Sequence, residues 1–180
     1  GMSVSTPAAS VRLEGFELRV LQLDLTSPFT TSFGTETVRE LIVVRAMTAD
    51  GDGWGEVVTQ ADPLYSSEYT QGAWDVLHRF LAPKLLAAGS LTPEQVAPTL
   101  APFVGHRMAK AGIELAVLDA ALRSENRSLA SYFGAVRDRV PSGVSVGIQD
   151  SPEAMVEAVR GYLDEGYVRI KIKIKHGRDI

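Results

Sequence analysis

Between Tyr167 and Lys175 the chain reads YVRIKIKIK, so that Arg169, Lys171, Lys173 and Lys175 fall at every second position, with Val168, Ile170, Ile172 and Ile174 among them. No other stretch limits the fold so tightly. In an extended strand successive side chains leave on opposite faces, which puts all four cations on one side and the branched apolar residues on the other. Unpaired ammonium groups do not enter an apolar core, because burying a charge without a partner is prohibitive. The basic face must therefore meet water, acidic partners or a polar cavity, and which of these it meets is the central functional question.

The residues just before this strand set its context. Residues 140–148, VPSGVSVGI, read as a short apolar strand. Residues 151–166 read as a helix with Ser151 as N-cap, Pro152 in the first turn and Gly166 as the C-terminal stop. Strand, helix and lysine strand then make one βαβ unit, whose two strands are predicted to be parallel. Parallel strands are normally covered on both faces, which argues for a polar cavity. An edge strand that uses lysine to block aggregation would show the same alternation.

The first part of the chain has a different character. In residues 11–60, Phe16, Leu18 and Val20 alternate with charged or small residues, and Leu21, Leu23 and Leu25 take up the opposite phase. A bulge or register change near residue 20 is the expected cause. After the loop SPFTTSFGTETVRE come LIVVRAMT and, past the turn ADGDG, WGEVVT. These predict a three-stranded antiparallel meander. Residues 66–126 are mainly helical. One helix is expected to start at Ser66 or Ser67 and stop near Pro83, with Ala73, Leu77, Phe80 and Leu81 on its inner face. A weaker helix is expected over 93–102. A third, over 107–123, carries Met108, Ala111, Leu115, Leu118 and Leu122 at helical spacing, and Ile113, Val117 and Ala120 make it apolar on more than one side.

The chain has 180 residues, 45% hydrophobic and 22% charged, with a net charge of −4. That is an ordinary globular composition and excludes a broad nucleic-acid footprint. The absence of cysteine excludes disulfides and thiolate chemistry. No apolar run approaches the ~20 residues that span a bilayer. Gly1 before Met2 reads as an expression scar, residues 1–10 as a disordered lead-in without a signal-peptide pattern, and the cytoplasm as the expected location.

Several small signals have plain readings. Gly51, Gly53 and Gly55 in GDGWGE sit in a hairpin context, so turn glycines are expected rather than a phosphate loop. His78, His106 and His176 lack metal-ligand spacing. Lys110 with Glu114, and Asp119 with Arg123, are i,i+4 pairs that support a helix. Phe29 and Phe33 lie among hydroxyl residues and either tuck in as satellite core or form a cover over an apolar part of a substrate.

Taken together, SPFTTSFGT, GWGE, PLYSSEYT, GHRMAKAGIELAVLDA, VPSGVSVGI and GYVRIKIKIK resemble the N-terminal half of an enolase-superfamily enzyme of the N-acylamino acid (N-succinylamino acid) racemase / o-succinylbenzoate synthase branch. The resemblance runs from about Leu13 to Ile174. It implies an α+β capping domain over 11–126, followed over 127–180 by the first βαβ of a (β/α)7β TIM-like barrel, incomplete here. It further implies abstraction of the proton α to a carboxylate, with Mg2+ at the barrel mouth and metal ligands absent from this chain. By the same resemblance Lys173 is the acid/base and Lys171 sets the charge and position of its neighbour. Ser145 faces the pocket, and Phe29, Phe33 and Tyr65 shape it for the substrate's side chain. After the strand this chain reads His176-Gly177-Arg178-Asp179, where the family usually has something like PGWD. The expected partner is a small carboxylate substrate, with a homo-oligomer possible and neither nucleic acid nor membrane involved. The 180-residue chain itself is expected to be inactive. Three readings stay open: racemase or synthase; a dipeptide epimerase or muconate cycloisomerase-like parent; and a short non-catalytic capping-domain protein that associates through its open strands.

Overall fold

The computed structural model describes residues 6–31, 34–64, 66–137, 167–175 and 178–179, without the side chains of 23–39, 135–137, 167 and 178–179. Strands β1 (Val11–Thr31), β2 (Gly34–Thr48) and β3 (Gly51–Val57) form the antiparallel meander expected from the sequence. No bulge separates β1 from β2 at residue 20: Val20 faces Ile42 and Leu21 faces Leu41 in continuous register. The change of apolar phase has another cause. Phe16, Leu18 and Val20 belong to the main core under the helices, whereas Leu21, with Leu41 and Val43, is buried in a smaller cluster against Trp54 on the opposite face. Strict alternation from Phe16 to Leu21 thus serves two buried faces, and the register shifts of β1 against β2 lie outside that stretch, between Leu13 and Gly15 and between Asp24 and Phe29.

The helices begin with α1 (Thr70–Val76), which passes through a π turn at Leu77–Leu81 into α2 (Ala82–Ala88). Ser66 and Ser67 do not cap it; Tyr69 is its N-cap residue, in extended conformation. Pro83 does not end it either. A proline inside a helix has no N–H and clashes with the carbonyl four residues back, and the wider π turn just before Pro83 accommodates both. The extra residue also rotates the helix face, leaving Phe80 40% exposed instead of in the core, where Leu77 and Leu81 remain. Strand β4 (Ser90–Leu91) pairs with the start of β1, and a 3-10 turn at Pro93–Gln95 leads into α3 (Val96–Leu100). Helix α4 (Arg107–Ser124) is buried around most of its circumference, although Ala111 faces solvent, and α5 (Leu129–Arg137) follows.

Helix α4 lies directly on β3, and glycines make the approach possible. A Cβ on Gly55 would stand 2.1 Å from the Gly112 carbonyl oxygen, and one on Gly53 would stand 2.1 Å from the Ala120 nitrogen. Only Gly51, with φ +127°, has the turn role expected for all three; the other two are required by helix contact. Asp119 accepts a hydrogen bond from the Trp54 N–H (2.9 Å) and pairs with Arg123 (3.1 Å), which ties α4 to the strand again. Burial raises the Asp119 pKa, against that hydrogen bond and the Arg123 charge. Lys110 reaches the Phe103 carbonyl. Upstream of β1, Ala8 is buried, and its N–H donates to Glu94 (2.9 Å), so residues 6–10 lie along the domain.

The lysine strand, β5 (Tyr167–Lys175), lies elsewhere than expected. It runs antiparallel to β1 and extends the capping sheet in the order β3-β2-β1-β5-β6, where β6 is Arg178–Asp179. Its proposed parallel partner 140–148 and the helix 151–166 lie outside the described residues. On the described edge, β5 is paired antiparallel with β1. The reason lies in β1, whose side away from β2 offers a free row of N–H and C=O groups. In the observed register Ile174 meets Phe16, Ile172 meets Leu18 and Ile170 meets Val20, so Ile174 joins the helix-covered core and Ile172 packs against it, partly buried.

Candidate active site

The same register decides what the basic face meets. Glu17 of β1 is flanked across the sheet by Arg45 of β2 on one side and Lys173 of β5 on the other, while Lys171 lies opposite Arg19. The Glu17 side chain is 1% exposed, and four cations surround its carboxylate. Arg19 reaches Oε1 with both Nε and Nη2 at 2.5 Å; Arg45 Nη1 stands 3.7 Å from Oε2, and the ammonium groups of Lys171 and Lys173 each stand 3.8 Å from it. Arg45 also pairs with Asp52 and lies over the Trp54 ring, 5.2 Å from its centroid. Negative and positive groups thus alternate across four strands. A carboxylate this deeply buried is tolerated because its charge is met from several sides. Of the three possible partners for the basic face, an acidic one is found.

Lys171 and Lys173 are the predicted site residues that the structure places, and both are roughly half exposed, at 45% and 42%. Both ammonium groups share the Glu17 carboxylate. Phe29 lies in β1 opposite Glu36, its side chain not described. Phe33, Tyr65 and Ser145 lie outside the described residues. Sequence reasoning missed Glu17. Its signal was there: an acidic residue at the in-between position of Phe16-Glu17-Leu18-Arg19, on the face that alternation assigns to polar groups. At the far end of β5, Arg169 pairs with Glu40 (3.0 Å) beside a cavity of about 190 Å³, whose walls include Val20, Trp74 and Ile170.

The residues here do not fit a divalent cation. Among the described residues no three His, Asp or Glu side chains gather as ligands, and the acid beside the lysine pair already answers four positive charges. Among the same residues no helix is long and apolar enough to cross a membrane.

An antiparallel sheet covered by helices in this way is the N-terminal capping domain of an enzyme superfamily. Residues 16–134 match the N-terminal domain of the mandelate racemase / muconate lactonizing enzyme family, and the chain belongs to that family, within the enolase superfamily. It is 58% identical over 170 residues to an N-succinylamino acid racemase from an Amycolatopsis species, covering 94% of this chain and 46% of that protein. It is 37% identical over 172 residues to the o-succinylbenzoate synthase of Geobacillus kaustophilus, covering 95% of this chain and 46% of that one. A solved enolase-superfamily structure from Listeria innocua superposes with TM-score 0.64 at 30% identity, over 86% of this chain and 42% of the other. The chain spans about half the length of the curated relatives it matches.

Proposed function

We propose that this chain forms the N-terminal half of an enzyme that removes the proton α to a carboxylate, in N-acylamino acid racemisation, in o-succinylbenzoate synthesis by dehydration, or in both. The observation that carries the reading is the 58% identity to an N-succinylamino acid racemase over 170 residues, 94% of this chain. In it, Lys173 takes and returns the α-proton, Lys171 steadies the charge beside it and orients the substrate carboxylate, and Ser145, Phe29, Phe33 and Tyr65 line the pocket. The Mg2+ that the resemblance implies belongs to ligands outside the described residues.

The test is a chimera in which residues 11–175 replace the corresponding segment of the Amycolatopsis racemase. Deuterium incorporation at Cα of N-succinylamino acids is then followed, with the synthase precursor, dipeptides and a muconate lactone assayed alongside to separate the branches. Exchange is expected, and Lys173→Ala should lower it by about 10²–10⁴-fold. A folded chimera whose exchange survives Lys173→Ala refutes the assignment. A second reading, a non-catalytic capping domain that uses its own lysine strand to extend its sheet, is favoured by the pairing of β5 with β1. It predicts that the folded chimera exchanges nothing.

A further inference from the structure

We infer that Glu17 is the key of a latch: it holds the lysine strand on the edge of β1, and in that position Lys171 and Lys173 are paired with its carboxylate, with which a substrate carboxylate has to compete. The consequence for chemistry rests on the reading of Lys173 as the acid/base; the latch itself does not.

Three observations carry the latch. The apolar hold on β5 is confined to one end: Ile174 is 2% exposed, whereas Ile170 and Val168 are 42% and 41% exposed. The pairing is interrupted partway, since Val20 faces Ile170 but Leu21 faces Val168, which leaves Arg169 as an extra residue and weakens the ladder there. Between those two regions stands Glu17, almost fully buried, with both strand lysines at 3.8 Å. Backbone bonds to an edge are available to any extended segment and do not choose a register. A buried carboxylate does choose, because a shift of β5 by one residue would place isoleucines beside Glu17 and lysines beside Phe16 and Leu18. The ion pairs therefore set both the register and much of the holding force at the middle of the strand. While they persist, a substrate carboxylate has to compete with Glu17 for the two ammonium groups, which stay 45% and 42% exposed.

A strand held in this way can leave without unfolding the meander, since β1 keeps its full pairing with β2. The lysine strand is thus a two-position element, docked on β1 or released from it, and only release frees both lysines of Glu17.

The test is amide hydrogen exchange on the full chain, read strand by strand, without substrate. Glu17→Gln keeps the shape and removes the charge. Exchange of β5 amides from Ile170 to Ile174 should rise about tenfold, with the β2 and β3 amides unchanged. Lys171→Gln combined with Lys173→Gln, at half-exposed positions that leave the core intact, should give the same selective loss. Asp52→Asn, on the same face but off β5, should leave β5 protected. Unchanged β5 protection in both the Glu17 and the lysine variants overturns the latch. A uniform rise across all strands in the Glu17 variant also overturns it, because Glu17 would then be a general stability residue. An inactive chimera with selective β5 release would sink the catalytic reading and leave the latch standing.

Discussion

The N-terminus of α4 supplies the sharpest stability prediction. His106, the residue before the helix, has φ 57° and makes no side-chain cap, so the first N–H groups of an 18-residue helix need a partner from elsewhere. Glu68 provides it from the loop before α1. The Met108 N–H donates to both of its oxygens, at 3.1 and 2.9 Å, and the Ala109 N–H donates to Oε1 at 3.2 Å. Ser66 fixes the loop that carries this acceptor by accepting from the Glu68 N–H at 3.1 Å. Three ways of valuing the interaction converge. A lost cap costs roughly 0.5–2 kcal/mol, hydrogen bonds to a charged group are worth about 1.5–3 kcal/mol, and the helix dipole adds roughly 0.3–1 kcal/mol. They describe one contact and are not summed, which leaves about 2 kcal/mol for Glu68→Ala. At about 2–4 °C per kcal/mol for a chain of this size, the thermal midpoint should fall by roughly 4–8 °C. Glu68→Gln keeps an acceptor and loses the charge, so about half of the loss is expected, and in 1 M salt the gap between Glu and Gln should narrow. Urea unfolding followed by circular dichroism measures all three proteins. If alanine and glutamine variants both unfold within about 0.3 kcal/mol of the parent, the cap assignment is wrong.

Two further perturbations probe the helix layer. Gly55→Ala sets a Cβ 2.1 Å from one backbone atom of α4 and 3.0 Å from another, neither of which can rotate away, so a loss of about 3 kcal/mol is expected in urea unfolding, whereas Gly134→Ala in α5 meets nothing within 4 Å and should gain roughly 0.5–1 kcal/mol. Burial alone raises the Glu114 pKa from 4.5, so the folded chain binds a proton there more readily than the unfolded one. Stability from this group is full below pH 4.5 and lost as pH rises through the folded value. Glu114→Gln should therefore be more stable than the parent at pH 7, and the difference should vanish toward low pH; an advantage that persists at pH 3 would rule out titration as its cause.

Much of the capping fold was legible because its signals are local. The Asp-Gly turn before β3, the meander and the apolar spacing of α4 each follow from a few neighbouring residues. What was not legible depended on contacts far apart in the chain. Phe80 reads as core on a regular helix, and only the π turn ahead of Pro83 turns it outward. Gly53 and Gly55 read as turn residues because nothing local announces that the backbone of α4 will lie against them. The cap at Met108 comes from Glu68, forty residues earlier in the chain, beyond the reach of any capping pattern read along one helix.

The lysine strand marks the boundary between the two kinds of information. Alternation fixes the face of every side chain in YVRIKIKIK and says nothing about which edge the backbone will join. A segment with this pattern satisfies its N–H and C=O groups equally in a parallel sheet or on an antiparallel edge, provided that one face finds an apolar surface and the other finds charge or water. The β1 edge meets both demands, with Phe16, Leu18 and Val20 on one side and Glu17 on the other. A barrel strand has to offer the same two things, an apolar outer layer and a polar interior at the mouth. Sequence compatibility with two environments is what allows a single strand to occupy either.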